Sequence, residues 1–228
     1  MATTHLTRIK IDPWSPDAGR DLTNAQLLHS RVLSLVPDQL GNDTRQAAGI
    51  LFRLERGHHA HTLLIQSNAP LDLDTLPVGY ATATDERTLT PLLTWCQTEG
   101  HLRYRIDASP TRSLATPERR DDGRRKRGRL VPLHGDDAVD WWIRKASTAG
   151  LTLNSTTLHA TSQPDIVGWK SEPETPHQRS RFGKELTRFE GTATIHDPDA
   201  LRTAITLGIG RSKTYGAGLL SIAPLTSP

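Results

Sequence analysis

The clearest chemical pattern in the chain lies near its C-terminus. There Gly208, Gly210, Gly216 and Gly218 flank a basic centre that contains Arg211 and Lys213. Glycine permits positive φ and lets backbone N–H groups approach an anion, and the two cations add charge. A phosphate group is a natural partner for such a loop. The loop is neither a Walker A motif nor a dinucleotide fingerprint, because both need a strand before the glycines and a helix after them. Here the order is reversed. A helical segment leads in, with Asp197 as its cap, Pro198 at its first position and Gly208 past its last turn. The strand-like GLLSIAP leads out.

Charge is concentrated elsewhere too. Residues 101–129 hold ten Arg or Lys against four Asp or Glu, a balance of +6 in a chain of net +3, which leaves −3 for the remainder. Arg119, Arg120, Arg124, Arg125, Lys126, Arg127 and Arg129 form the dense part of this run. Basic charge gathered into one segment of an otherwise acidic chain is expected of a phosphate-facing surface. Gly123 and Gly128 would let the segment move and become ordered on binding. A second cluster, Arg179, Arg181 and Lys184, lies between two strand-like stretches and suits a hairpin.

The histidines are scattered. His29 sits on a helical segment, roughly 70° from the centre of its apolar stripe at 100° per residue, so it borders the core and can reach a groove. His58, His59 and His61 fall at an expected hairpin tip with no acidic or cysteine partner nearby, and no metal site is expected there. His5, His101, His134, His159, His177 and His196 read as surface or structural residues. Cys96 is the sole cysteine, which excludes an internal disulfide and any Cys-rich zinc pattern. No cofactor is expected.

The elements that must position these groups follow from periodicity. Apolar residues at 35% are enough to bury a core, and 228 residues suit two small domains. No stretch approaches the ~18 apolar residues of a membrane span, so a cytoplasmic protein is expected. Residues 4–12 alternate as a strand, and Pro13 and Pro16 should then break the pattern. Residues 23–36 predict one helix, capped by Thr23 or Asn24, with Ala25, Leu28, Val32, Leu35 and Val36 as its apolar stripe. A hairpin is expected over 49–57 and 58–67, while 68–90 is hard to assign. A short helix near Leu92–Thr98 leads to a strand over 101–108, a loop or hairpin, a short strand within 129–134 and a helix over 136–150. That helix carries Trp141 and Trp142, one expected in the core and one nearer the surface. Strands over 151–160 and 184–197 precede the last helix. The fold class is therefore α+β, as two tandem ferredoxin-like units over 1–98 and 99–228. This topology also carries RNA in the RRM family, but the aromatic RNP motif is missing.

The string GIGRSKTYGAGLLSIAP resembles the signature loop of the CasE branch of the RAMP superfamily, the CRISPR RNA-processing proteins of subtype I-E. Three other stretches fit in order: LLH at residues 27–29, LRYRIDASPTR at 102–112, and DWWIRKASTAGLTL at 140–153. The resemblance implies two ferredoxin-like domains and a repeat stem-loop RNA as partner. It also implies metal-free cleavage at the 3′ base of the hairpin, and retention of the product within Cascade. It places His29 at the position of the catalytic histidine. Some members carry a Tyr one turn earlier, where this chain has Gln26, a residue that does not exchange protons.

Metal-free RNA cleavage uses the RNA's own 2′-hydroxyl as nucleophile. It needs a base for that proton, an acid for the leaving 5′-oxygen and cations for the phosphorane-like charge. Histidine titrates near neutrality and suits either proton role. Arg31, Lys213 and Tyr215 are candidate supports. Two other readings stay open: a non-catalytic RNA-binding subunit of the same fold, and a small-molecule enzyme using the glycine loop for a phosphate group.

Overall fold

The computed structural model describes residues 3–37, 48–57, 60–115, 128–171 and 179–225, with the side chains of 170, 171 and 179 left aside. Its first sheet contains β1 (His5–Ile11), β2 (Leu51–Arg56), β3 (His61–Ser67) and β4 (Ala81–Thr88), in the order β2-β3-β1-β4. All its pairings are antiparallel. The second sheet contains β5 (His101–Ala108), β8 (Leu151–Leu153), β10 (Arg179–Ile195) and β11 (Leu220–Pro224), in the order β11-β5-β10-β8 and again antiparallel. Counted within each half, both sheets run 4-1-3-2. This is the split βαβ order of a ferredoxin-like unit, used twice as expected.

The helices cover one face of each sheet. In the first half α1 (Pro16–Thr23) and α2 (Ala25–Ser34) follow β1, and Ile9, Ile11, Leu63 and Ile65 of the strands bury against Leu28 and Val32. The single helix expected over 23–36 is thus two. The strand ends at Ile11, ahead of Pro13 and Pro16 as expected, and Pro16 then opens α1, because proline's missing N–H is unneeded at a helix start. Asn24 ends α1 with extended backbone, φ −139°, and its side chain caps α2 by accepting from Gln26 N at 3.0 Å. Residues 68–90, unassigned from sequence, supply only a 3₁₀ turn (Leu73–Thr75) where a ferredoxin-like unit has its second helix, and then β4 on the sheet edge. Next comes α3 (Thr90–Trp95), two residues earlier than expected.

In the second half α4 (Gly135–Thr148) and α5 (Pro198–Leu207) pack on Leu102, Tyr104, Ile106 and Phe189. Both tryptophans of α4 are buried, at 7% and 0% exposure, so the expected surface tryptophan is corrected. They point about 100° apart around the helix and meet different covers. Trp142 stacks on Phe189 with centroids at 5.5 Å, and Trp141 lies under Gly210 of the glycine loop. Two insertions complete the unit. β6 (Thr111–Leu114) and β7 (Arg129–Pro132) form a two-stranded ribbon, and β9 (His159–Ser171) makes a long hairpin with β10. The strand expected over 151–160 is therefore split between β8 and β9. Among the described residues no helix is long and apolar enough to cross a membrane.

Polar groups buried on β2 and β3 hold the two halves together. Arg53, 2% exposed, donates to the carbonyl of Leu219 at 3.1 Å, while its Nε and Nη2 hold Glu55 at 3.1 and 2.9 Å. Glu55 also accepts from Arg105 at 3.2 Å. Gln66, 1% exposed, donates to the carbonyls of Ile205 and Thr206 at 3.0 and 3.1 Å. One strand pair of the first half thus grips both ends of the segment that carries the glycine loop.

Candidate active site

The inner face of α2 is fixed by Leu28 and Val32, which leaves His29 half-buried at the margin of the first core. The ring edge-on to it is Tyr215, with centroids 5.9 Å apart and planes at 71°. This is a favourable T-shaped aromatic arrangement. The phenol of Tyr215 donates to Gln26 Oε1 at 3.2 Å, one turn before His29 on the same helix face. Phe182 of β10 lies against the other side of Tyr215, at 4.6 Å between centroids. Two of the expected candidates, His29 and Tyr215, are therefore neighbours although 186 positions apart in the chain.

The glycines set that approach. Tyr215 ends a short 3₁₀ turn (Lys213–Tyr215) between Ser212 at φ 61° and Gly216 at φ 90°, both left-handed. A Cβ on Gly216 would stand 2.9 Å from the ring of Phe52 on β2, and one on Gly218 would stand 2.5 Å from the carbonyl oxygen of Ile209. Gly208 closes α5, and Gly210 covers Trp141. Several of the loop's amides are spent inside the protein. Those of Ile209, Tyr215, Gly216, Ala217 and Gly218 donate to the carbonyls of Gly218, Ser212, Lys213, Ser212 and Asp107. These N–H groups hold the loop's shape, and Arg211 and Lys213 add cationic side chains to it. Lys213 uses one of its three ammonium donors on the carbonyl of Leu207, 2.7 Å away, at the C-terminal end of α5.

A cleft of about 810 Å³ opens beside Tyr215. Lys184 of β10 and Arg211 and Lys213 of the loop line it, with Asp165 and Glu185 as counter-charges. Leu130 and Pro132 of β7 form another wall, so the ribbon that brackets residues 116–127 borders the cleft. Of the basic run, Arg129 is exposed on β7, while Arg119, Arg120, Arg124, Arg125, Lys126 and Arg127 lie outside the described residues. Arg181 is exposed on β10; Arg179 belongs to the same strand.

Arg31 is not brought to the site. It stands two residues from His29, about 200° around the helix, and its Nε donates to Asp21 at 2.9 Å. Tyr80 donates to the same carboxylate oxygen at 3.0 Å, and burial followed by the charge of Asp21 pushes its phenol far above the ordinary tyrosine range. Arg31 thus ties α2 to α1 and to Tyr80, the residue before β4. Other histidines have structural neighbours: His5 with Glu86 at 2.7 Å, His134 with Glu185 at 3.3 Å and His101 with Thr194 at 3.1 Å. Burial, then Arg56, lowers the pKa of His61; His58, His59 and His177 lie outside the described residues. Among the described residues no group of three or more His, Cys, Asp or Glu is placed to hold a metal ion.

Sequence reasoning missed Phe182 and the buried ion pair of Arg188 with Asp107, bonded twice at 2.7 and 2.9 Å. That pair backs the loop, since the carbonyl of Asp107 accepts from Gly218 N at 2.7 Å. The hydrogen bonds to Asp107 come first among the effects that raise the pKa of Arg188. A lone carboxylate at the end of a strand whose other charges are arginines, as in Arg103-Tyr104-Arg105-Ile106-Asp107, was the available signal.

A family profile described as CRISPR associated protein matches residues 4–224, nearly the whole chain. The chain belongs to the CRISPR associated protein family. It is 29% identical over 230 residues to the CRISPR-associated endoribonuclease Cse3 of Thermus thermophilus, covering 96% of this chain and 99% of that one. It is 28% identical over 204 residues to the Cascade subunit CasE of Escherichia coli, covering 87% and 91%. A solved structure of the CRISPR endoribonuclease Cse3 bound to 19 nt RNA superposes with a TM-score of 0.77 at 25% identity, over 97% of this chain and all of the other. This CRISPR associated protein is therefore homologous to Cse3 over nearly its whole length and to CasE over most of it.

Proposed function

We propose that the protein is a cytoplasmic, metal-independent endoribonuclease that binds a CRISPR repeat stem-loop and cuts it at the 3′ base of the hairpin. It then keeps the mature guide RNA as a subunit of Cascade. On this reading residues 1–98 supply His29 and residues 99–228 supply the loop, the hairpin and most of the cationic surface. The observation that carries it is the junction of His29, Gln26 and Tyr215 beside the cleft lined by Lys184, Arg211 and Lys213. Homology to an RNA-bound endoribonuclease and to a Cascade subunit supports the substrate and the assembly.

The chemistry needs no external nucleophile. A ribose 2′-oxygen attacks the adjacent phosphorus and the bond from phosphorus to O5′ breaks. The 2′ proton leaves to a base, and O5′ receives a proton from an acid. The products are a 2′,3′-cyclic phosphate and a 5′-hydroxyl. His29 takes one proton role. Tyr215 is the second protic group at the junction, and the cleft cations balance charge on the phosphorane. Gln26, which does not exchange protons, favours the alternative of a binding-only subunit.

Cleavage of an end-labelled cognate repeat hairpin in EDTA, by the wild type and by His29→Ala, separates the readings. A single cut leaving a cyclic phosphate, lost in His29→Ala with hairpin affinity retained, is the expected result. Tight binding without a cut by the wild type makes the protein a binding subunit. Equal cutting by both removes His29 from the chemistry.

A further inference from the structure

The cleft has a side cavity. About 150 Å³ of space lies between α1 and α2, β2 and the β9–β10 hairpin. A water needs only about 10–15 Å³ of such space, so a whole ring system has room there. Tyr215 and Asp165 line both this cavity and the cleft, so a group entering it stands beside the candidate reaction site. Leu28, Leu54 and Ile166 give it apolar walls.

Four charged residues line the cavity: Asp21, Arg56, Asp107 and Asp165. Asp21 is held by Arg31 and Tyr80, and Asp107 by Arg188. The other two, both solvent-exposed, hold no ion pair: among the described residues neither Arg56 nor Asp165 has an ion-pair partner within 4.0 Å, and they do not pair with each other. Arg56 makes one side-chain hydrogen bond, from Nη2 to the carbonyl of Leu22 at 3.0 Å. One cation and one carboxylate thus line a space with apolar walls without neutralising each other. A planar group with acceptors on one edge and donors on another would satisfy both.

We propose that this cavity receives an unpaired guanine next to the cleaved phosphate, with Arg56 donating to O6 and N7 and Asp165 accepting from N1–H and the 2-amino group. The inference rests on the RNA-cleaving reading above and adds a base preference to it. Guanine carries two adjacent acceptors on one side and two donors on the other, and arginine paired to O6 and N7 is the commonest specific contact to that base. Cytosine and adenine have a single exocyclic donor beside their acceptors, and uracil has no amino group. Proteins read RNA sequence mainly from bases that have left the helical stack, and the end of a stem frees such a base at the least expense.

The test uses the full chain and repeat hairpins with a single 2′-deoxy substitution that blocks the cut. Guanosine, inosine, 7-deazaguanosine and uridine are placed in turn at each nucleotide flanking that phosphate. The wild type should prefer guanosine at one position by about tenfold in affinity. Asp165→Asn should erase the guanosine-to-inosine difference, and Arg56→Gln the guanosine-to-7-deazaguanosine difference, each leaving the other contrast in place. Indifference of the wild type to the base at every flanking position overturns the proposal. So does an equal loss on all hairpins in both variants. Because the readout is affinity, a failure of the cleavage reading appears separately, as no cutting of the all-ribose hairpin.

Discussion

The phenol of Tyr215 and the amide of Gln26 are joined at 3.2 Å across the junction between the glycine loop and α2. The helix position one turn before His29 therefore meets a tyrosine hydroxyl, delivered from the other end of the chain. The contact orients the phenol toward the face that bears His29, which lies edge-on at 5.9 Å.

Tyr215→Phe keeps the ring contacts with His29 and Phe182 and removes only the hydroxyl. If that hydroxyl moves or shares a proton in the reaction, single-turnover cleavage should slow by about 100-fold, the lower end of acid–base contributions. Hairpin affinity should change by less than the roughly fivefold expected from one net hydrogen bond. A cleavage rate within twofold of wild type would reduce Tyr215 to a packing residue.

Much of the frame was legible because it rests on local rules. Asp197, Pro198 and Gly208 bound α5 where capping chemistry requires, and alternation located β1 and β5. What stayed hidden depends on partners remote in sequence. Asn24 serves two helices at once, which the apolar stripe through 23–36 conceals. The burial of both Trp141 and Trp142 needs the glycine loop as a second cover. Nothing local to Arg53 or Gln66 shows that their partners are backbone carbonyls more than a hundred positions away. The site was half visible for the same reason. Glycine spacing marks the loop, while its contact with His29 comes from docking one half on the other.

Arg53 should be far more important to stability than a surface arginine. Arg53→Met would leave the Leu219 carbonyl and one side of Glu55 without their donor inside the interface. Removing one partner of a buried pair costs about 3 kcal/mol or more, which for a chain of this size lowers the melting temperature by about 6–12 °C. Arg53→Lys should not rescue it, because an ammonium lacks the fork that reaches Glu55 and Leu219 together. Thermal denaturation checks this, and a shift under 2 °C for Arg53→Met would sink it.

Glu55 gives the same interface a pH dependence. Burial raises its pKa, but the charge and hydrogen bonding of Arg53, then Arg105, outweigh this and hold it below the ordinary glutamate value. A carboxylate depressed in the folded state stabilises above its unfolded pKa, about 4.3, and that contribution is lost as pH falls through the folded value. The melting temperature of the wild type should drop on acidification through and below that range. Glu55→Gln should melt lower at neutral pH and show a shallower acid drop. Parallel curves for the two proteins would remove Glu55 as the source.

The cleft cations should be visible in the salt dependence of RNA binding. Lys184 and Arg211 line the cleft from separate elements, β10 and the glycine loop. Each phosphate contact contributes about 0.7–0.9 to the slope of log affinity against log salt. Lys184→Ala with Arg211→Ala should therefore lower the slope for the repeat hairpin by about 1.5, weakening binding most at low salt and converging with wild type at high salt. The loss should be similar for hairpins of different stem sequence, because phosphate contacts position the RNA without reading it. An unchanged slope with weaker binding would mean that the two residues support the fold of the cleft instead of meeting phosphates, and would move the RNA path toward Arg129 and the ribbon that carries it.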